Sequence, residues 1–259
     1  MSGLLGAFDD YRRSGVSRFV QTALVIDNEA EMRPSYATPP VSRPATRGGG
    51  SVLKAAHSTD LHTGSDSFPH TGSESIIEAI AEQPSHQLNA KHLTDAWSER
   101  AVICGLYRPE RGEDMVARAT KAAAHADVVI IDWFLEGASS VRAKEIIVNI
   151  LKNDLAENGR LRLLAVYTSQ SGVSIIAKEI LEAAEEAPEL KNSLRLEGSV
   201  LTGPSVRICV LSKPQAVGMS DVDKVDEGHL PNRLIAEFAY LSIARLSTNR
   251  PATGRRSGG

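Results

Sequence analysis

The chain has 259 residues, of which 42% are apolar and 24% charged, with a formal net charge of -3. That is enough apolar material for a core in one large domain or two small ones, and the weak negative charge removes the electrostatic case for nucleic acid as a partner. No basic stretch followed by a long apolar run stands near Met1, and nowhere do about 18 apolar residues follow one another, so no membrane partner is expected.

Residues 3–13 place Leu4, Leu5, Phe8 and Tyr11 at helical spacing, so 1–19 reads as a short helical extension docked on a domain's flank. The first strand is Thr22-Ala23-Leu24-Val25-Ile26, and it ends in Asp27-Asn28-Glu29. From 33 to 87 the composition changes to Pro34, Pro39, Pro40, Pro44, Gly48-Gly49-Gly50 and then many Ser, Thr and His. Such a stretch has too little apolar area to offset its chain entropy, so it reads as a disordered insertion, with only 75–82 able to form a helical turn or two. Its histidines His57, His62, His70 and His86 lack the short fixed spacings of a zinc site.

Beyond the insertion, helix and strand alternate. Helices are predicted over 89–100, 111–126, 141–157, 173–187 and 231–246, the last with Pro231 at a first helical position. Between them lie a second strand at 101–107, a third at 127–131 ending in Asp132, a fourth at 163–167 ending in Thr168-Ser169, and a fifth at 206–212 ending in Lys213-Pro214. Residues 194–201, followed by the turn signal Gly203-Pro204, suggest an extra edge strand or hairpin. The tail 248–259 is polar, basic and Gly-rich and is expected to be unstructured, with no output domain after the last helix. Strands alternating with helices imply an α/β fold, a doubly wound parallel sheet covered on both faces, and the continuous apolar strands agree. Cys104 and Cys209 fall inside such strands, where a free thiol behaves as a small hydrophobe, and a cytoplasmic location suits them.

In an open parallel sheet the residues just past the carboxyl ends of the strands converge on one crevice. Asp132, Asp27 with Asn28, Thr168 and Lys213 therefore nominate a single site. Taken one at a time they have ordinary uses: Asp27 and Asp132 as helix caps, Thr168 as a turn residue, Lys213 as a loop lysine before proline. Rival chemistries lack their residues. A dinucleotide fold needs a glycine-rich turn after the first strand, and Ile26-Asp27-Asn28-Glu29-Ala30 has none. No Gly-Lys-Ser or Gly-Lys-Thr loop occurs, and Phe134 stands where a haloacid dehalogenase-type phosphatase places its second Asp. The protein is not expected to be an enzyme.

The order of these strand ends over 20–33 and 87–247 resembles the receiver domain of bacterial two-component response regulators, in an atypical form with a long insertion after the first strand. The resemblance implies a flavodoxin-like five-stranded sheet of order 2-1-3-4-5, in which the strands of Cys104 and Cys209 are not neighbours and form no disulfide. It implies that Asp132 accepts a phosphoryl group from a histidine kinase or histidine phosphotransfer protein. Asp27, Asn28, Asp132 and the backbone carbonyl of Phe134 would hold Mg2+ or Mn2+, a hard cation that prefers oxygen ligands. Lys213 would act as a point charge on the phosphoryl oxygens and Thr168 would donate a hydrogen bond to one of them.

Two departures stand out: Asn28 where the family usually has a second acid, and Val210 where it often has an aromatic ring that swings inward. Glu29 is the candidate to compensate for the first, and Tyr167 or the loop after Lys213 for the second. The output implied is protein contact, as relay, phosphate sink or regulator, with the downstream partner unnamed. The resemblance assigns signalling, and a homodimer through the last helix, to the face of the fourth helix, fifth strand and last helix, with Phe238, Tyr240 and Leu241 as contributors, while core packing is the expected use of at least one face of that helix. The alternative is a pseudo-receiver, a binding module on the same fold without phosphoryl transfer.

Overall fold

In the computed structural model of the protein the described residues are 15–32, 87–157, 160–219 and 224–248, without positions 17, 111 and 113. The helix expected over 3–13, the insertion up to residue 86 with its four histidines, and the tail beyond Thr248 lie outside them.

Among the described residues seven strands form one sheet: β1 (Thr22–Ile26), β2 (Ile103–Tyr107), β3 (Val128–Ile131), β4 (Arg162–Thr168), β5 (Arg195–Glu197), β6 (Val200–Thr202) and β7 (Val206–Ser212). Their spatial order is β2-β1-β3-β4-β7-β6-β5. The five strands β1 to β4 and β7 pair in parallel in the expected 2-1-3-4-5 order, so the flavodoxin-like core stands. The five-stranded core gains the hairpin expected near 194–201: 195–202 folds as an antiparallel pair that extends the sheet past β7. Gly198 at its turn has φ +65, the left-handed conformation glycine adopts without strain.

The helices are α1 (Ala90–Ser98), α2 (Met115–Ala123), α3 (Val141–Ala156), α4 (Val173–Glu185) and α5 (Leu230–Thr248). Asn89 caps α1 through its side chain, which accepts the His92 N–H at 3.1 Å. The helix predicted over 111–126 contracts to nine residues, and the last helix starts at Leu230 and runs two residues past its expected end. Ala101, expected in strand, has φ 56 and ends the α1–β2 turn.

Alternation along each strand divides the core in two. Leu24, Ile26, Val129, Ile131, Leu164, Val166, Ile208 and Val210 pack under α2, α3 and α4. Ala23, Val25, Val128, Ile130, Ala165, Tyr167, Cys209 and Leu211 pack under α1 and α5. Both faces are therefore buried, which is why the strands read as continuous apolar runs rather than alternating ones. Cys104 and Cys209 are free, and burial pushes both thiols up to about 12, so neither is a ready nucleophile. Among the described residues no helix is long and apolar enough to cross a membrane.

Where β1 gives way to the insertion, the two ends of that insertion are tied together. The Glu31 N–H donates to the Leu88 carbonyl at 3.0 Å, the Ala90 N–H to the Glu31 carbonyl at 2.9 Å, and Gln87 Nε2 to Glu31 Oε1 at 2.8 Å. The chain thus re-enters the domain beside the point where it left. Replacing 33–86 by a short Gly-Ser linker is expected to leave a cooperative domain that is more stable by about 1–2 kcal/mol, because each halving of a closed loop recovers about 0.6 kcal/mol. Thermal and urea denaturation of the two proteins check this.

On the side of the face expected to serve signalling, the sheet continues past β7. The outer edge of β7 pairs with β6, so no free strand lies between α4 and α5. In α5, Phe238 and Leu241 are core residues, and only Tyr240 of the three is exposed. Arg207 of β7 ties this side together, its guanidinium bonded to Glu237 at 2.8 Å and Thr202 at 3.1 Å and lying 5.5 Å from the Tyr240 ring centre.

Candidate functional site

Each nominated side chain sits at a strand end and is fixed there by its own backbone. The Asp132 N–H donates to the Ile26 carbonyl at 2.9 Å, the Asp27 N–H to the Tyr107 carbonyl at 3.3 Å, and the Lys213 N–H to the Thr168 carbonyl at 2.7 Å. Those bonds continue the parallel ladders one step past β3, β1 and β7, so the register of the sheet sets the spacing of the site.

The side chains then do two things at once. Asp27 Oδ1 accepts the Glu29 N–H at 2.7 Å, Asp132 Oδ2 accepts the Phe134 N–H at 3.0 Å, and Thr168 Oγ1 accepts the Gln170 N–H at 3.1 Å. Each is an Asx or Ser/Thr turn, the capping use that the residue type alone suggests. The turn fixes one carboxylate oxygen and leaves the other aimed inward. Lys213 Nζ meets both inward oxygens, Asp27 Oδ2 at 3.1 Å and Asp132 Oδ1 at 2.9 Å. The cluster is buried: Asp27 and Lys213 side chains are 3% exposed and Asp132 is 15% exposed, so Asp132 is the member that an incoming group can reach.

Burial sets the electrostatics. It raises the Asp132 carboxyl above the usual carboxylate range; the charge of Lys213 opposes that and the charge of Asp27 adds to it. For Lys213, burial alone would favour the neutral amine, but the Asp132 and Asp27 carboxylates outweigh it and hold the ammonium above its ordinary value. Two carboxylates and one ammonium leave one net negative charge out of water, an arrangement that favours a cation.

Of the expected residues, the structure brings Asp27, Asp132 and Lys213 into direct contact. Thr168 is beside them, 2% exposed and paired in register with Ser212. Asn28 is half-buried; its carbonyl accepts Arg108 Nε at 2.9 Å, and its Oδ1 is a buried oxygen without a hydrogen-bond partner. Glu29 is exposed. Among the described residues no group of three or more His, Cys, Asp or Glu is placed to hold a metal. The donors available are two acids, one amide oxygen and backbone carbonyls. That set is all oxygen, which suits magnesium, and the orphaned Asn28 Oδ1 is an oxygen that a cation would satisfy.

Val210 is 2% exposed in the α2–α4 side of the core. Tyr167, the ring next to Thr168, packs on the other side of the sheet from Val210. It is 1% exposed, and its hydroxyl donates to the Val225 carbonyl at 2.6 Å. Sequence reasoning missed that tether and the placement of Lys213 Nζ 5.7 Å from the Tyr167 ring centre. The one signal for it was a tyrosine immediately before the strand-end Thr168. A groove of about 710 Å3 between α3 and α4, lined by Val141, Lys144, Glu145, Glu179 and Glu182 among others, contains none of the strand-end residues.

A family model described as the response receiver domain matches residues 19–217. The match runs from just before β1 to just past Lys213 and so takes in all four strand ends. No curated protein and no solved structure matches the chain.

Proposed function

The chain belongs to the response receiver domain family, and from that premise we propose that it accepts a phosphoryl group on Asp132 from a phosphohistidine of a histidine kinase or phosphotransfer protein. The observation that carries this reading is the Asp27–Lys213–Asp132 cluster, in which the one carboxylate accessible from outside sits under a buried ammonium. In the transfer Asp132 Oδ1 forms a bond to phosphorus as the phosphorus–nitrogen bond to the donor imidazole breaks, and the electron pair of that bond returns to the ring. Lys213 moves its charge from the Asp132 oxygen to the phosphoryl oxygens, and Thr168 turns its hydroxyl to donate to one of them. The Phe134 N–H keeps the second Asp132 oxygen in place throughout. Asp27, Asp132, the Asn28 amide oxygen and the Phe134 carbonyl would hold magnesium or manganese, which supplies charge neutralisation for the incoming phosphoryl group. The protein works through protein contacts rather than as an enzyme, as relay, phosphate sink or regulator, and the free thiols suit the cytoplasm.

Incubation with acetyl phosphate, with and without magnesium, followed by intact-mass spectrometry tests the reading. One added phosphoryl group is expected in the wild type with magnesium, and none in Asp132→Ala. A wild type that stays unlabelled under every condition favours the second reading, a pseudo-receiver, which draws on the loss of one acid at Asn28 and on Val210. Asn28 also makes a graded prediction. Restoring the acid in Asn28→Asp adds a full charge to the oxygen set and is expected to tighten magnesium binding by about tenfold or more. Quenching of Trp133, buried next to Asp132, reads the titration without any phosphoryl transfer.

A further inference from the structure

We propose that Tyr167 is a positioning residue for Lys213, holding the ammonium at the site while its hydrogen bonds are re-aimed, and that the segment leading into α5 holds Tyr167 in turn. The inference rests on the phosphoryl-acceptor reading above. Lys213 Nζ lies 5.7 Å from the Tyr167 ring centre, within the range of a cation–π contact, and both side chains are almost wholly buried. The ring cannot drift: its hydroxyl donates to the Val225 carbonyl at 2.6 Å. Val225 is itself zipped to β7, its N–H donating to the Ser212 carbonyl at 3.0 Å, with Lys224 bridged to Ser212 in parallel fashion. The tether therefore closes on the residue directly before Lys213.

The physical need for such a support follows from what Lys213 must do. In the structure it bridges Asp27 and Asp132. To serve a phosphoryl group on Asp132 it has to release one carboxylate oxygen and take a phosphoryl oxygen, on a flexible four-carbon stem. Carboxylate contacts are lost in that exchange. A ring face attracts the cation whichever way its N–H bonds point, so it keeps the ammonium near the reacting atoms across the exchange. A short apolar side chain at 167 would not. Because the same ring is hydrogen-bonded to Val225, a shift of Lys213 is mechanically linked to the stretch that starts α5.

The test uses the full-length protein with lysines labelled at the ε carbon, and three chains: wild type, Tyr167→Phe and Tyr167→Leu. In the unphosphorylated protein the Lys213 ε-methylene protons are expected to be displaced by the ring current in wild type and Tyr167→Phe and to lose that displacement in Tyr167→Leu. Its absence from the wild-type spectrum overturns the proposal by itself, and it needs no variant to fold. Labelling by acetyl phosphate with magnesium is expected to slow by about tenfold in Tyr167→Leu, which loses the ring, and by about threefold in Tyr167→Phe, which keeps the ring and loses its bond to Val225. A Tyr167→Leu protein that unfolds cooperatively and labels at the wild-type rate overturns the positioning role, and a Tyr167→Phe protein that labels at the wild-type rate overturns the part given to Val225. If wild type takes no phosphoryl group at all, the acceptor reading falls, while the lysine spectrum still decides whether the ring holds Lys213.

Discussion

Replacing Arg162 by leucine is expected to destabilise the protein by about 3–5 kcal/mol, the usual cost of leaving one partner of a buried ion pair alone. Arg162, the first residue of β4, is 1% exposed and uses its whole guanidinium fork. Nε and Nη2 grip Asp154 of α3 at 2.6 and 2.8 Å, Nη1 donates to the carbonyls of Ala123 and Ala126 at 2.5 and 2.6 Å, and Nη2 also reaches the Ala124 carbonyl at 3.1 Å. One side chain thus neutralises a buried carboxylate and closes the open end of α2. Leucine fills part of the volume and satisfies none of these groups.

The pH dependence of that loss has a definite sign. Burial holds the Asp154 carboxyl above its usual value even with Arg162 opposing it. A folded-state pKa raised above the unfolded one contributes stability that is fully present below the unfolded value of about 3.9 and is lost as pH rises through the folded value. Without Arg162 the folded value rises further, so the deficit of Arg162→Leu relative to wild type should be smallest in acid and grow toward neutrality. Adding Asp154→Leu to Arg162→Leu removes the unpaired charge and should return a large part of the loss, leaving the cost of the α2 carbonyls. Urea denaturation of the three proteins at several pH values measures this. A pH-independent deficit, or a double variant no better than the single one, would show that the carboxylate is not what is stranded.

The second large effect is expected at Lys213. Lys213→Met removes the only cation that an ion pair places against Asp27 and Asp132 among the described residues, and leaves two buried carboxylates without it. Phosphoryl labelling by acetyl phosphate is expected to fall by about 100-fold or more, the cost of losing a preorganised charge at the reacting group. Magnesium binding, read by Trp133 fluorescence, should move the other way and tighten, because an internal competitor for the same two carboxylates is gone. That opposite response separates a lysine that acts on the phosphoryl group from one that merely holds the fold. Parallel loss of labelling and of metal binding would instead point to a collapsed site.

Much of this molecule was legible in the chain, and for identifiable reasons. Strands such as Val128–Ile131 and Arg162–Thr168 are buried on both faces, so their apolar runs stand out whatever their neighbours are. Asp132, Thr168 and Lys213 close such runs, and in a parallel sheet the end of a run has one place to be. Boundaries and edges were less legible. The turn signal Gly203-Pro204 announced an edge element before β7, but its pairing partner is set by the sheet, and α2 stops at Ala123, where Arg162, thirty-odd positions away, takes its last carbonyls. Core packing was expected for one face of α5, and only the tertiary structure assigned Phe238 and Leu241 to that face and Tyr240 to the surface.

The sequence by itself determined the alternation of helices and strands, and with it a doubly wound sheet that gathers Asp27, Asp132, Thr168 and Lys213 at one edge, since hydrophobic period and strand-end chemistry are local properties. Tertiary structure alone decided which oxygens Lys213 holds, that Tyr167 lies under its ammonium and is tied to Val225, and that Arg162 is spent on Asp154 and α2. Those are contacts between positions far apart in the chain, made when burial removes water as the competing partner, and no local pattern encodes them.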